Sequence, residues 1–232
     1  MNTQERLITM LDQTAEALGP ALLENCAFVG GCVVGLLLTD DFTKEQVRAT
    51  DDVDLIVDVI NYAAYAKLSD ELRARGFTQS HQDDFHCRWR LRELAVDVMV
   101  TEERVLGFSN IWYRPAIESA VWHMLPSGRK IRIVSPPFFI ATKIEAFKGR
   151  GQNDYLGSRD IEDIITLIDG REEIIDEIKQ QEMAFREYIS DAISIFLQQK
   201  HFEYAVESAV RNDSDRADVI FDRLQALSKI KV

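Results

Sequence analysis

Several things are scarce in this sequence, and each scarcity excludes something. Cysteine is rare: there are three, Cys26, Cys32 and Cys87, and no CxxC. An odd count without paired spacing implies no disulfide framework, and Cys26 and Cys32 lie among apolar neighbours, as core thiols do. No apolar run is long enough to cross a bilayer. The opening residues, MNTQERLITML, lack the basic segment and apolar stretch of a secretory signal. A cytoplasmic protein with no membrane partner is expected. Positive charge is also short. Lys and Arg number 27 against 39 Asp and Glu, and the net charge of −12 argues against broad nonspecific binding to nucleic acid.

What is present is enough for a sizeable core: 232 residues, 46% hydrophobic, sufficient for one large domain or two small ones. The charge is uneven. Residues 86–150 carry 11 basic and 6 acidic side chains, between two strongly acidic flanks. That basic middle could hold a polyanionic substrate, or it could be a solvated strand face.

One stretch, residues 27–58, concentrates the chemistry. Val29-Gly30-Gly31 is followed by an apolar, helix-like run at residues 32–38, then a polar loop at 39–50, then Asp52-Val53-Asp54-Leu55. In a strand, residues i and i+2 share a face, so Asp52 and Asp54 project together while Val53 and Leu55 turn away. Two carboxylates on one face repel unless a cation or proton sits between them. Hard oxygen ligands so placed suit Mg²⁺, which binds one or two carboxylates plus substrate phosphates. Taken alone, such a pair is more often an exposed acidic face. The glycine pair changes the balance, because it lets backbone N–H groups approach a phosphate at a helix N-terminus. Glycine turn and paired acids together indicate a nucleoside triphosphate site.

Further along, helices are expected over residues 4–18, ended by Gly19-Pro20, and over 62–75, ended by Gly76. Residues 81–87 contain His81, His86 and Cys87, but their spacing matches no standard zinc arrangement, so zinc is not expected. Arg88-Trp89-Arg90-Leu91-Arg92 predicts a strand with one cationic face, and residues 94–100 its partner. Asp97 interrupts that apolar partner strand, which is costly unless it is paired or binds a cation. Either a neighbouring arginine or a metal would serve. Short strands are expected at residues 111–113, 118–122 and 130–134. Ser135-Pro136-Pro137 marks the domain boundary, dividing residues 1–135 from a helical domain, 136–232. Lys143 lies at the margin of an apolar stripe made by Ile140, Ile144 and Phe147, where a lysine commonly snorkels. Ser158 is the expected N-cap of a helix whose Arg159 and Asp163 could pair. The remaining helices form an acidic tail with no identifiable chemistry.

The motif hG[GS] followed by Dh[DE]h, where h is apolar, resembles the core of the nucleotidyltransferase superfamily. The wording Arg48-Ala49-Thr50-Asp51-Asp52-Val53-Asp54 is similar to the AbiEii/AbiGii-type toxin-like nucleotidyltransferases. The resemblance covers residues of about 27–170. It implies a mixed α/β sheet flanked by helices, followed by a C-terminal helical domain closing a nucleotide cleft. It implies Mg²⁺-dependent, ATP-type nucleotide binding and transfer of a nucleoside monophosphate from an NTP to an acceptor hydroxyl of RNA, a protein or a small molecule. Asp52, Asp54 and Asp97 would hold two Mg²⁺ ions, with Asp97 helping to deprotonate the acceptor. Gly30 and Gly31 would cradle phosphates, and Lys143, in an ATK segment, would face them. The segment from Arg159 to Ile164 is similar to a family element but departs from its wording, and a bracing role around Lys143 is expected. An antitoxin partner is implied if the chain is the toxin of a toxin–antitoxin pair. The rival expectations are a non-catalytic nucleotide sensor and a partner-binding module on the same fold.

Overall fold

The computed structural model describes residues 2–80, 86–211 and 213–231. Residues 81–85, most of the dismissed zinc motif, lie outside that set. The elements run α1 (Thr3–Leu23), β1 (Cys26–Val29), a 3₁₀ turn (Gly31–Val33), α2 (Val34–Leu37), α3 (Asp41–Glu45), β2 (Asp52–Val57) and α4 (Tyr62–Ala74). They continue β3 (Arg88–Leu91), β4 (Leu94–Val100), α5 (Glu103–Leu106), α6 (Tyr113–Glu118), β5 (Val121–Met124) and β6 (Lys130–Ile133). The last are α7 (Pro136–Arg150), α8 (Arg159–Gly170), α9 (Ile174–Lys179), α10 (Met183–Leu197), α11 (Lys200–Ala209) and α12 (Ser214–Ser228). No described helix is long and apolar enough to cross a membrane.

The chain forms two compact units. One comprises Met1–Gly35 and Val47–Phe139, the other Leu36–Gln46 and Ile140–Val232. The division falls inside α7, four residues after that helix begins, and Leu36–Gln46, part of the stretch between the glycine turn and β2, goes with the second unit, while Val47 onward returns to the first.

The first unit is built on a mixed six-stranded sheet in the order β3-β4-β2-β1-β6-β5. β2 runs parallel to β4 and β1 parallel to β6, while the other neighbours are antiparallel. The parallel step from β2 to β4 needs a crossover, which α4 supplies. β3 and β4 join through a two-residue turn in which Arg92 takes a left-handed φ of 57°. Val53, Leu55, Val96 and Val98 are buried, so the inward face of β2 and β4 is apolar as the alternation requires. α1 opens with a capping box between Asn2 and Glu5, buries Leu7, Leu11 and Leu18, and breaks at Gly19 (φ 66°) before a last turn begun by Pro20.

Three local expectations differ. The strand expected at 118–122 starts only at Val121, because α6 continues to Glu118 and its last turn closes at Ser119. Residues 111–113 form a turn leading into α6, not a strand, because Pro115 and the helical hydrogen bond from Ala116 N to Trp112 O favour the tighter path. The 39–50 segment holds α3, capped by the Asp40 side chain, which accepts from Thr43 N.

The second unit is helical. Ile161, Ile164, Ile165 and Ile168 of α8 are buried, and Ser158 caps that helix by accepting from Ile161 N. Phe147, Tyr155, Phe196 and Phe202 meet in a cluster of tilted and edge-on rings with centroids 4.8–6.0 Å apart. The 36–46 segment rests on Gly170, whose carbonyl accepts from Thr39 N and Asp40 N. A Cβ at Gly170 would lie 2.8 Å from the Thr43 side chain. Arg216 ties the same segment to α8 and α12, donating to Asp40 and Thr43 and to both carboxylate oxygens of Asp169.

Candidate active site

Sheet register assembles the acidic face. Asp54 of β2 is the direct partner of Asp97 of β4, and Asp97 is the direct partner of Arg88 of β3. On the other side Asp54 is opposite Val29, the residue before the glycine pair. Direct partners share a face, so Arg88, Asp97 and Asp54 form one row across three strands. Asp52, two residues before Asp54, joins them. Thus Asp52, Asp54 and Asp97 are half-buried on one side of the sheet although Asp97 is far from the others in sequence.

Arg88 organises this face. Its Nε and Nη2 each donate to one oxygen of Asp97 at 2.7 Å, a two-toothed, charge-assisted pair. The same Nη2 reaches Asp52 Oδ2 at 3.3 Å. Asp52 Oδ1 also accepts from the Thr50 hydroxyl at 2.6 Å. An arginine partner for Asp97 is one of the two expected from the sequence; the bridge to Asp52 depends on register, which composition does not display.

Asp54 lies against the glycine turn. Gly30 has φ 78° and ψ −173°, a conformation open to glycine alone in practice. A Cβ there would fall 1.7 Å from Asp54 Oδ2. At Gly31 a Cβ would lie 2.8 Å from Arg48 Nη2, so a guanidinium covers that backbone. Gly30 and Gly31 thus stand between an acid and a base in the first unit. The motif wording includes Arg48 without placing it; its position over Gly31 comes from the fold.

Cys87, next to Arg88, is buried. Burial pushes its thiol pKa up to about 12, with the charges of Asp97 and Asp54 acting in the same direction. It is a core thiol, without nucleophilic character near neutral pH.

Lys143 belongs to the second unit and is buried at 7% exposure. Its Nζ lies 2.6 Å from Asp163 and 3.2 Å from Asp160, both nearly inaccessible. Arg150 also grips Asp160, with Nε at 3.0 Å and Nη2 at 2.9 Å. Burial works to raise the Asp160 pKa, but Lys143 and Arg150 outweigh it and hold the carboxyl below its ordinary value. Asp163 therefore meets Lys143, in place of the Arg159 pairing expected from the i, i+4 spacing. These contacts hold Lys143 of α7 to α8 within the second unit.

No protein-family model matches this chain, and no curated protein matches it. The resemblance to nucleotidyltransferases accordingly rests on the motif residues alone.

The acidic face also answers whether a divalent ion suits it. Three carboxylates on one face offer only hard oxygen donors, the set that Mg²⁺ prefers. Arg88 answers part of their charge, at Asp97 and Asp52. As the side chains stand, no group of three or more acidic, His or Cys residues among the described residues is arranged around a common metal position. The donor chemistry fits the ion, and the guanidinium of Arg88 is the cation those donors face.

Proposed function

We propose that this protein is a Mg²⁺-dependent nucleotidyltransferase. The observation that supports this reading is the cross-strand row that brings Asp97 beside Asp54 and Asp52 at the edge of the Gly30-Gly31 turn. Asp52, Asp54 and Asp97 would hold Mg²⁺, which supplies charge neutralisation on a triphosphate. The Gly30-Gly31 backbone would approach the β- and γ-phosphates without a Cβ in the way, and Arg48, poised over Gly31, would supply the cation there. Asp97 would take the proton of the acceptor hydroxyl. The acceptor oxygen then bonds to the α-phosphorus, the bond from that phosphorus to the bridging oxygen breaks, and pyrophosphate leaves with its electron pair. Lys143, whose ammonium is engaged by Asp160 and Asp163, we assign to bracing the second unit. RNA, a protein and a small molecule all remain acceptors within the proposal, as does a role as a toxin countered by an antitoxin in the cytoplasm.

A second reading, nucleotide binding without transfer, draws on one observation. The two-toothed grip of Arg88 on Asp97 engages both oxygens of the residue that would act as base. One experiment separates the readings. The protein is mixed with each α-³²P-NTP, Mg²⁺ and a cell lysate, beside Asp52→Ala. Label moving onto an acceptor with the native chain and not with the variant supports transfer. Bound but untransferred label supports the sensor, and equal transfer by the variant removes the aspartates from the mechanism.

A further inference from the structure

Arg88 stands where a cation is called for. It sits on β3, the outermost strand of the sheet, and its side chain keeps 22% exposure. Its contacts are graded. Asp97 is held by two bonds of 2.7 Å and Asp52 by one of 3.3 Å. A guanidinium and a divalent ion are alternative counter-charges for the same oxygens, and both cannot take the inner oxygens of Asp97 at once. Arg88 keeps part of its side chain at the surface, so its guanidinium is not sealed in the interior.

Resting on the nucleotidyltransferase reading, we propose that Arg88 is a built-in competitor for the metal: it holds Asp97 and Asp52 together when no metal is bound and must withdraw for the ion to engage them. Arg88 is thus a positioning residue that sets how tightly the site takes a divalent ion. The apparent affinity of such a site falls with the fraction of molecules in which Asp97 is released. If Arg88 holds Asp97 in nine molecules of ten or more, removing it tightens metal binding about tenfold or more. Its removal also leaves like charges on one face, so the metal-free variant loses stability and regains it on adding the ion.

The test is Mn²⁺ titration calorimetry on the full chain, with melting curves at zero and saturating Mn²⁺, for the native protein, Arg88→Gln and Arg88→Lys. Arg88→Lys keeps a charge but loses the two-toothed grip, so it guards against a variant that does not fold. Tighter Mn²⁺ binding in Arg88→Gln, a smaller gain in Arg88→Lys and a larger Mn²⁺-induced rise in melting temperature than in the native chain are expected. Equal or weaker binding in both variants, with melting lowered and not restored by Mn²⁺, would make Arg88 merely structural and overturn the inference while leaving the proposed function intact. No Mn²⁺ binding by any of the three proteins overturns both.

Discussion

Gly30 and Asp54 are packed so closely that the glycine has no room for a side chain: the nearest carboxylate oxygen would be 1.7 Å from an added Cβ. Gly30→Ala must either move Asp54 or distort the turn, on top of a left-handed φ of 78°. Strain of order 1–3 kcal/mol is expected, together with loss of nucleotide transfer. Gly76 is the control. It also has a positive φ, 88°, but nothing lies within 4 Å of an added Cβ. Gly76→Ala should cost stability and spare transfer. Thermal melts and transfer assays on both variants check this, and matching behaviour in the two would show that the approach of Asp54 does not matter.

Lys143→Met tests whether the buried lysine is a brace. It leaves Asp160 and Asp163 inside the second unit with one cation fewer, and breaking a buried pair in this way costs about 3–5 kcal/mol. Urea unfolding should show that loss. Adding Asp163→Asn should recover part of it, because the stranded charge is then gone. A stable Lys143→Met protein with weakened nucleotide binding would instead return the lysine to the phosphates.

Acid should loosen the second unit first. The Asp40 carboxyl is held well below its ordinary value of 3.8 by the Thr43 hydroxyl and by Arg216, and Asp160 is also lowered. A depressed folded-state pKa gives stability that is complete above the unfolded value and is lost as pH falls through the folded one. The window therefore lies below pH 3.8. All three tryptophans, Trp89, Trp112 and Trp122, belong to the first unit. Helical circular dichroism should thus fall before tryptophan fluorescence changes in an acid titration. Arg216→Met should move the first step to higher pH, and an unmoved step would exclude the Arg216 network as its source.

The thiols should be silent. Burial raises Cys26 and Cys87 to about 12, and Cys32 is buried as well. Ellman's reagent at pH 8 should label none of them in the native chain and all three in denaturant. Rapid native labelling at Cys87 would mean that β3 opens readily at the acidic face.

Much of this was legible in the residues. The i, i+2 rule places Asp52 and Asp54 together without coordinates, and an acid among Val96, Val98 and Met99 announces that Asp97 needs a partner. Ser158 and the isoleucine spacing of α8 predict that helix and its cap. What escaped is what depends on distant pairing. The Arg88 bridge needs the registers of two strand pairs. Arg216 meets Asp40 across 176 positions, and no local pattern joins them. Lys143 reads as a stripe-edge lysine from its spacing and as a phosphate-facing one from the resemblance; its two carboxylates come from the next helix, which spacing along α7 cannot reveal.

The placement of Leu36–Gln46 among the C-terminal helices has a practical result for anyone cutting this gene in two. A fragment ending at residue 135 would keep Asp40 and Thr43 but lose Gly170 and Arg216, exposing a strip of chain shaped for helices it no longer owns. The complementary fragment would lack the strip that covers Gly170. Dissecting the two halves therefore calls for replacing residues 36–46 by a short neutral linker in one piece and grafting them onto the other.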